Sequence, residues 1–174
     1  SNDANLTLAS PGASNSLGLN NDIEIAKWFQ TVSINNKIWQ LKTAYEADLL
    51  TALPGSSWVQ NQLNWADANS YCSNLRMSGG GWRLPTLEEL KAIRTCSYGG
   101  CYGESPFIVS ELREHTHAGG PPNWSERGSA GSGSRYWSST TYPYNDTLAY
   151  YVIFSNGHVY ELSKSNQYWV RCMK

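Results

Sequence analysis

Residues 81–90 read Gly81-Trp82-Arg83-Leu84-Pro85-Thr86-Leu87-Glu88-Glu89-Leu90, and the fold is decided here. Thr86 followed three residues later by Glu89 is a capping box. The hydroxyl accepts from the amide of the third helical residue, and the carboxylate reaches back to the amide of the cap. The box opens a second helix, expected to run through about Thr95 and to bury Leu87, Leu90 and Ile93 on one stripe. Pro85 fixes the backbone angle at which the chain arrives, and Gly79-Gly80-Gly81 stops what precedes it. Upstream, Trp65, Ala68, Cys72 and Leu75 recur at spacings of three, four and three. That is one face of a first helix over residues 64–75, with Asn64 as its N-cap.

Downstream the pattern changes. Residues 97–135 hold eight of the chain's 15 glycines and prolines Pro121 and Pro122. They read as a long irregular excursion with a helical turn at 110–115, and excursions of this length in small domains are functional or disordered. Strands follow at 136–140, 148–154, 158–162 and 167–173, with Ser155-Asn156-Gly157 as a hairpin turn. Near the start, Ile38-Trp39-Gln40-Leu41 reads as a strand able to pair with the last one near Trp169. Residues 22–33 are a short apolar run ambiguous between helix and strand. Residues 1–21, rich in Asn, Ser, Gly and Ala, read as a linker or stalk end leading into a single domain over 22–174. Two helices followed by an antiparallel meander make an α+β class fold.

Composition narrows the function. The 174 residues carry 13 Lys+Arg against 14 Asp+Glu, a net charge of −1, and only 16% are charged. Aromatics reach 13%, with eight Trp and eleven Tyr but three Phe. Such a chain is not intrinsically disordered over most of its length, nor a globally basic nucleic-acid binder. No run of 18 apolar residues is present to insert in a membrane. Tyr and Trp in excess over Phe suit wet binding surfaces, and equally suit β-rich extracellular domains.

Four cysteines, Cys72, Cys96, Cys101 and Cys172, allow three pairings. A local Cys96–Cys101 bridge would leave Cys72 to join Cys172, tying the first helix to the last strand. A zinc site is the weaker rival, since there is no C-x-x-C pair and the three histidines lack finger spacing. Free thiols are the third possibility. Disulfides would place the domain in an oxidising compartment, secreted or on a cell surface.

Five motifs follow one another: Trp65-x-x-Ala68-x-x-Tyr71-Cys72, the 81–90 stretch, Tyr136-Trp137-Ser138-Ser139-Thr140, Ser155-Asn156-Gly157, and Val170-Arg171-Cys172. In this order they resemble the family of bacterial surface domains that includes the C-terminal domain of the Legionella collagen-like adhesin. The resemblance covers about residues 65–174 and, more weakly, the Trp39 strand. It implies a C-type-lectin-like fold, with two helices packed on a curled antiparallel sheet. It also implies a Cys72–Cys172 bridge, at positions where the family usually carries a pair. Functionally it implies a non-catalytic adhesion domain, a homotrimer beneath a collagen-like stalk, that binds host sulfated glycosaminoglycans without a cofactor. Residues 1–21 depart from the stalk pattern, because they hold no Gly-x-y repeat.

The residues weigh against catalysis. There is no Gly-x-Ser-x-Gly nucleophile turn. His115 and His117 would share a face only on a strand, where they could hold a metal with Glu111 or Glu114; in a Gly/Pro-rich loop such imidazoles are more often solvated. Formylglycine-generating enzymes share the lectin-like fold but need reactive cysteines, and here both pairs read as bridges. The Glu-Pro-Asn and Trp-Asn-Asp signatures of calcium-dependent lectins are absent, and Tyr144-Asn145-Asp146 is only a fragment of one. Arg83 reads as structural, bridging to a carboxylate, and Ser138 to Thr140 as satisfying a buried turn. A local cationic patch remains: Lys91 and Arg94 on the second helix, and Arg113, His115, His117, Arg127 and Arg135 with Trp124 along the excursion. Arg pairs bidentately with sulfate-like oxyanions and Trp stacks on sugar rings. These eight residues are the expected ligand-binding set, for a sulfated glycosaminoglycan or another polysaccharide. The alternative is a protein-binding display surface on Tyr142, Tyr144, Tyr150, Tyr151 and Tyr160.

Overall fold

Two short strands, β1 (Thr31–Ile34) and β2 (Lys37–Gln40), form an antiparallel hairpin. Its turn is Asn35-Asn36, both at positive φ (52° and 59°), which asparagine adopts more readily than other side chains. The computed structural model describes residues 31–41, 62–114, 116 and 134–174. The expected linker over 1–21, the ambiguous run up to residue 30, and His115, His117, Trp124 and Arg127 of the expected ligand set lie outside the described residues.

The first helix, α1 (Trp65–Asn74), is capped by Asn64, whose side chain accepts from the Asp67 amide at 2.9 Å. Its stripe buries Ala68 and Cys72. The second, α2 (Leu87–Ala92), has the complete box: Thr86 Oγ1 accepts from the Glu89 amide at 3.3 Å, and Glu89 Oε2 accepts from the Thr86 amide at 2.8 Å. It stops short of the expected Thr95. From Ile93 onward the backbone pairs instead with residues 107–109: Val109 N donates to Ile93 O at 3.0 Å and Thr95 N to Phe107 O at 3.2 Å. A one-turn helix, α3 (Ser110–Arg113), follows.

The second sheet is antiparallel, in the order β3 (Arg135–Thr141), β4 (Leu148–Ile153), β5 (Val159–Ser163). The Trp-Ser-Ser-Thr run on β3 locks onto the start of α2. Ser139 N donates to Pro85 O at 2.7 Å, and Leu87 N donates to Thr140 Oγ1 at 3.0 Å, so a strand supplies one more cap to the helix. Ser138 Oγ donates to Tyr150 O at 2.8 Å and stays fully buried. The described fold is thus mixed, with three helices, two antiparallel sheets and two disulfides among the described residues.

The sequence reading places a closing strand at 167–173 with Trp39 near Trp169. The end of the chain does pair with the Trp39 strand, through Ile38 with Lys174 and Gln40 with Cys172, but in another register and without a continuous strand. Tyr168 pairs with Leu63, Trp169 with Tyr136, and Met173 with both Arg83 and Trp39, each as an isolated bridge. The segment meets a different neighbour every residue or two, so no continuous ladder forms, and Trp39 lies opposite Met173. Buried Gln40 fastens this end. Its Oε1 accepts from Cys172 N at 3.0 Å, its main-chain N donates to Cys172 O at 2.9 Å, and its Nε2 donates to Tyr71 Oη at 3.0 Å. Packed on one side are Trp82, Leu84, Trp137 and Val170; on the other are Trp39, Leu90, Ile93, Phe154 and Met173.

Cys72 and Cys172 are joined across 100 residues with Cα atoms 5.4 Å apart, and Cys96 and Cys101 across five. In the chain-entropy picture the long bridge removes far more freedom from the unfolded chain than the short one. The double variant Cys72→Ser/Cys172→Ser should therefore lose about 4–5 kcal/mol of stability, and Cys96→Ser/Cys101→Ser about 2 kcal/mol. Urea midpoints of the two variants, compared with the parent, read this ordering directly.

Candidate functional site

Four of the eight expected ligand residues are described, and each is engaged inside the protein. Lys91 Nζ donates to both Glu88 carboxylate oxygens, at 2.8 and 3.1 Å. Arg113 turns inward to the chain before its own helix: Nη1 donates to Pro106 O at 2.6 Å and Nη2 to Glu104 O at 3.0 Å. Arg135 lies over the rings of Tyr151 and Tyr168, 5.8 and 5.6 Å from their centroids. Burial pushes both tyrosine hydroxyls up from the ordinary value, and the Arg135 charge works against that rise. Arg94 is the partial exception. Its Nη1 donates to Gly157 O at 2.5 Å and its Nε points to Lys91 O at 3.5 Å, while Nη2 has no partner among the described residues.

Arg94 and Arg113 hold the same stretch of chain from two ends, since the backbone of Arg94 bridges to Ile108 and Arg113 grips Pro106. Arg135 belongs to the tyrosine stack on β4. The expected cations are thus distributed: Arg94 and Arg113 satisfy main-chain carbonyls, Lys91 pairs with a carboxylate, and Arg135 covers two rings.

Arg83 is committed as well. Its two terminal nitrogens meet the two oxygens of Glu89 at 2.7 and 2.6 Å, a bidentate fork. The hydrogen-bonded Arg83 guanidinium holds the Glu89 carboxyl at about 2, against an opposing push from burial, with the Thr86 amide helping. Beside this pair, the β1–β2 hairpin and α2 border an open groove of about 230 Å³, lined by Ile34, Asn35, Lys37, Trp39, Glu88, Glu89, Ala92 and Ile93. The buried indole N–H of Trp39 has no hydrogen-bond partner among the described residues.

The loop closed by Cys96 and Cys101 docks on the β4–β5 turn. Gly157, at φ 74°, allows it: a Cβ there would lie 2.7 Å from Cys96 O and 2.9 Å from Cys101 Sγ. The docking lays Tyr98, which the sequence reading did not single out, against His158 with its ring largely in solvent, and Tyr102 just after the loop is exposed too. The one sequence signal for this was the short spacing of the two cysteines, which forces whatever lies between them into a tight, projecting loop.

Among the described residues no group of three or more His, Cys, Asp or Glu side chains is placed to hold a metal ion. None of their helices is long and apolar enough to cross a membrane. Among known families, the chain matches the Lcl C-terminal domain over residues 30–174. It belongs to that family. No curated protein matches the chain. As a member of that family the chain is a surface adhesin-like domain.

The Arg83–Glu89 fork carries a pH signature. The Glu89 carboxyl titrates near 2 when folded and near 4.5 otherwise. The stabilisation is therefore complete above about pH 4.5 and is lost as pH falls from there through 2. Glu89→Gln keeps a capping side chain but loses the charge, and the pair is partly exposed. The variant should be about 1 kcal/mol less stable than the parent at pH 7, with the two converging toward pH 2. Urea denaturation of both proteins at pH 7, 4.5, 3 and 2 measures the convergence.

Proposed function

We propose that this domain is the ligand-recognising end of a bacterial surface adhesin and that its ligand is a host sulfated glycosaminoglycan or a similar sulfated polysaccharide. Membership of the Lcl C-terminal domain family supports the adhesin part. The observation that carries the ligand class is Arg94, whose Nη1 is held on the carbonyl of Gly157, the residue before His158, while its Nη2 has no partner among the described residues. Lys91 stands one turn away on α2, with an exposed ion pair that a stronger anion can displace. His115, His117, Trp124 and Arg127 complete the proposed contact set from the excursion, and Arg113 and Arg135 hold the surface in shape beneath it.

On this reading residues 1–21 are the linker from a stalk and 22–174 the single ligand-binding domain, C-type-lectin-like in architecture with a curled sheet. A homotrimer multiplies a modest cationic site into useful avidity, which suits a chain of net charge −1. Two disulfides suit a secreted or surface location. The domain acts by binding, with no cofactor and no chemical step.

A second reading has its own observation. Tyr142 packs edge-on against both Tyr144 and Tyr150, with ring centroids 5.5 Å apart in each pair, and Tyr144 is 86% exposed. Such a cluster suits a protein partner. Salt separates the two, because polyanion binding weakens steeply with ionic strength and an aromatic protein interface does not. On a heparin column the domain should be retained and elute above about 0.15 M salt, with light scattering showing a trimer. Flow-through at low salt would contradict the polysaccharide reading and leave the tyrosine surface as the site.

A further inference from the structure

Four residues, Ser97 to Gly100, lie between Cys96 and Cys101, and Tyr98 projects from this loop. Because the loop is seated on Gly157, the Tyr98 ring is laid against His158. His158 in turn stacks on Tyr160, with centroids 4.8 Å apart and planes 8° from parallel. The row continues inward through Tyr151 at 6.3 Å to Tyr168 at 4.8 Å, where Arg135 covers it. A row anchored this way loses little freedom when something lies across its outer end. That end faces solvent: β5 is the outer strand of its sheet, Tyr98 is 68% exposed and Tyr160 46%. At the same end Arg94 Nη1 is fixed on the carbonyl of Gly157, the residue before His158, and Nη2 is left over among the described residues.

We propose that Tyr98, Tyr160 and Arg94 form a subsite for one acidic pyranose unit of a sulfated polysaccharide, an inference that rests on the polysaccharide reading above and gives it a place on the surface. A pyranose ring has an apolar face of C–H groups and a polar rim. The C–H face lies on an aromatic ring, whose face is electron-rich, and a sulfate or carboxylate on the rim takes the free guanidinium nitrogen. Neither half of the site suits a simpler ligand. An inorganic anion makes no use of the rings, and an apolar surface would bury Arg94 Nη2 without a partner. The Cys96–Cys101 bridge is the positioning element, since it holds Tyr98 on His158.

The test is binding of a size-defined heparin oligosaccharide to the full chain, by calorimetry over a salt series, with thermal midpoints confirming that each variant is folded. Tyr98→Ala should weaken binding about tenfold with an unchanged salt slope. Tyr98→Phe should bind like the parent, because the ring and not the hydroxyl makes the contact. Arg94→Ala should lower the salt slope by about one. Cys96→Ser/Cys101→Ser should match Tyr98→Ala in affinity. If the parent binds and Tyr98→Ala and Tyr160→Ala bind equally well, the subsite is overturned while the polysaccharide reading stands. If the parent does not bind the oligosaccharide at any salt, both fall together and the face is returned to a protein partner.

Discussion

The last seven residues of the chain are the constraint on which the rest depends. Between Tyr168 and Lys174 the backbone joins five separate parts of the molecule. Tyr168 exchanges hydrogen bonds with Leu63 just before α1, and Trp169 is held by Arg135 and Trp137 of β3. Cys172 is bonded covalently to α1 and through hydrogen bonds to Gln40 of β2. Met173 exchanges both main-chain hydrogen bonds with Arg83, the residue that also forks onto Glu89 of α2. Lys174 pairs with Ile38, and its ammonium donates to Ser78 O and Gly80 O at 2.6 and 2.9 Å while lying over the Trp82 ring. Loops dominate this domain, and a segment with so many neighbours fixes them relative to one another without long strands. The Cys72–Cys172 bridge protects the arrangement against its chief weakness, that every one of these contacts is distant in sequence.

The candidate surface inherits its shape from that frame. Trp39, Ile93, Phe154 and Trp169 pack together beneath α2, so the helix and the β4–β5 turn are fixed as one body. On that body Gly157 accepts the disulfide loop, and the loop carries Tyr98 outward. Positive side chains then divide into two kinds of work. Arg113, Arg135 and Lys174 spend their donors or their charge on carbonyls and rings of the protein itself. Arg94 does so with only part of its guanidinium. A domain with balanced charge can in this way keep a small, directed cationic site without a general positive field.

Local signals were readable in the sequence and long-range ones were not. Asn64 with the Trp65, Ala68, Cys72 stripe gave α1 almost to the residue, and Thr86 with Glu89 gave the start of α2, because caps and stripes involve residues three and four apart. The end of α2 was misplaced, since it is set by residues 107–109 competing for the backbone from Ile93 onward. The Trp39 strand does pair with the end of the chain, but at Met173 and not near Trp169, and no continuous closing strand forms, as alternation along 167–173 cannot reveal that each residue meets a different neighbour. For the site, Lys91, Arg94, Arg113 and Arg135 could be named as cations, but apart from the local Lys91–Glu88 pair their partners are main-chain carbonyls, or the rings of residues remote in sequence. The meeting of Tyr98 with His158, which in turn stacks on Tyr160, depends on a loop docking some 60 residues away.

The claim that a sulfated sugar sits on the outer end of the tyrosine row is most directly tested by nuclear magnetic resonance. Titration of the labelled domain with a heparin oligosaccharide would follow aromatic side-chain and arginine Nε signals together. The account predicts shifts concentrated on Tyr98, His158, Tyr160 and Arg94, with Arg113 and the Tyr142, Tyr144 and Tyr150 cluster unmoved. Shifts confined to that second tyrosine cluster, or to residues 115–133 alone, would contradict it.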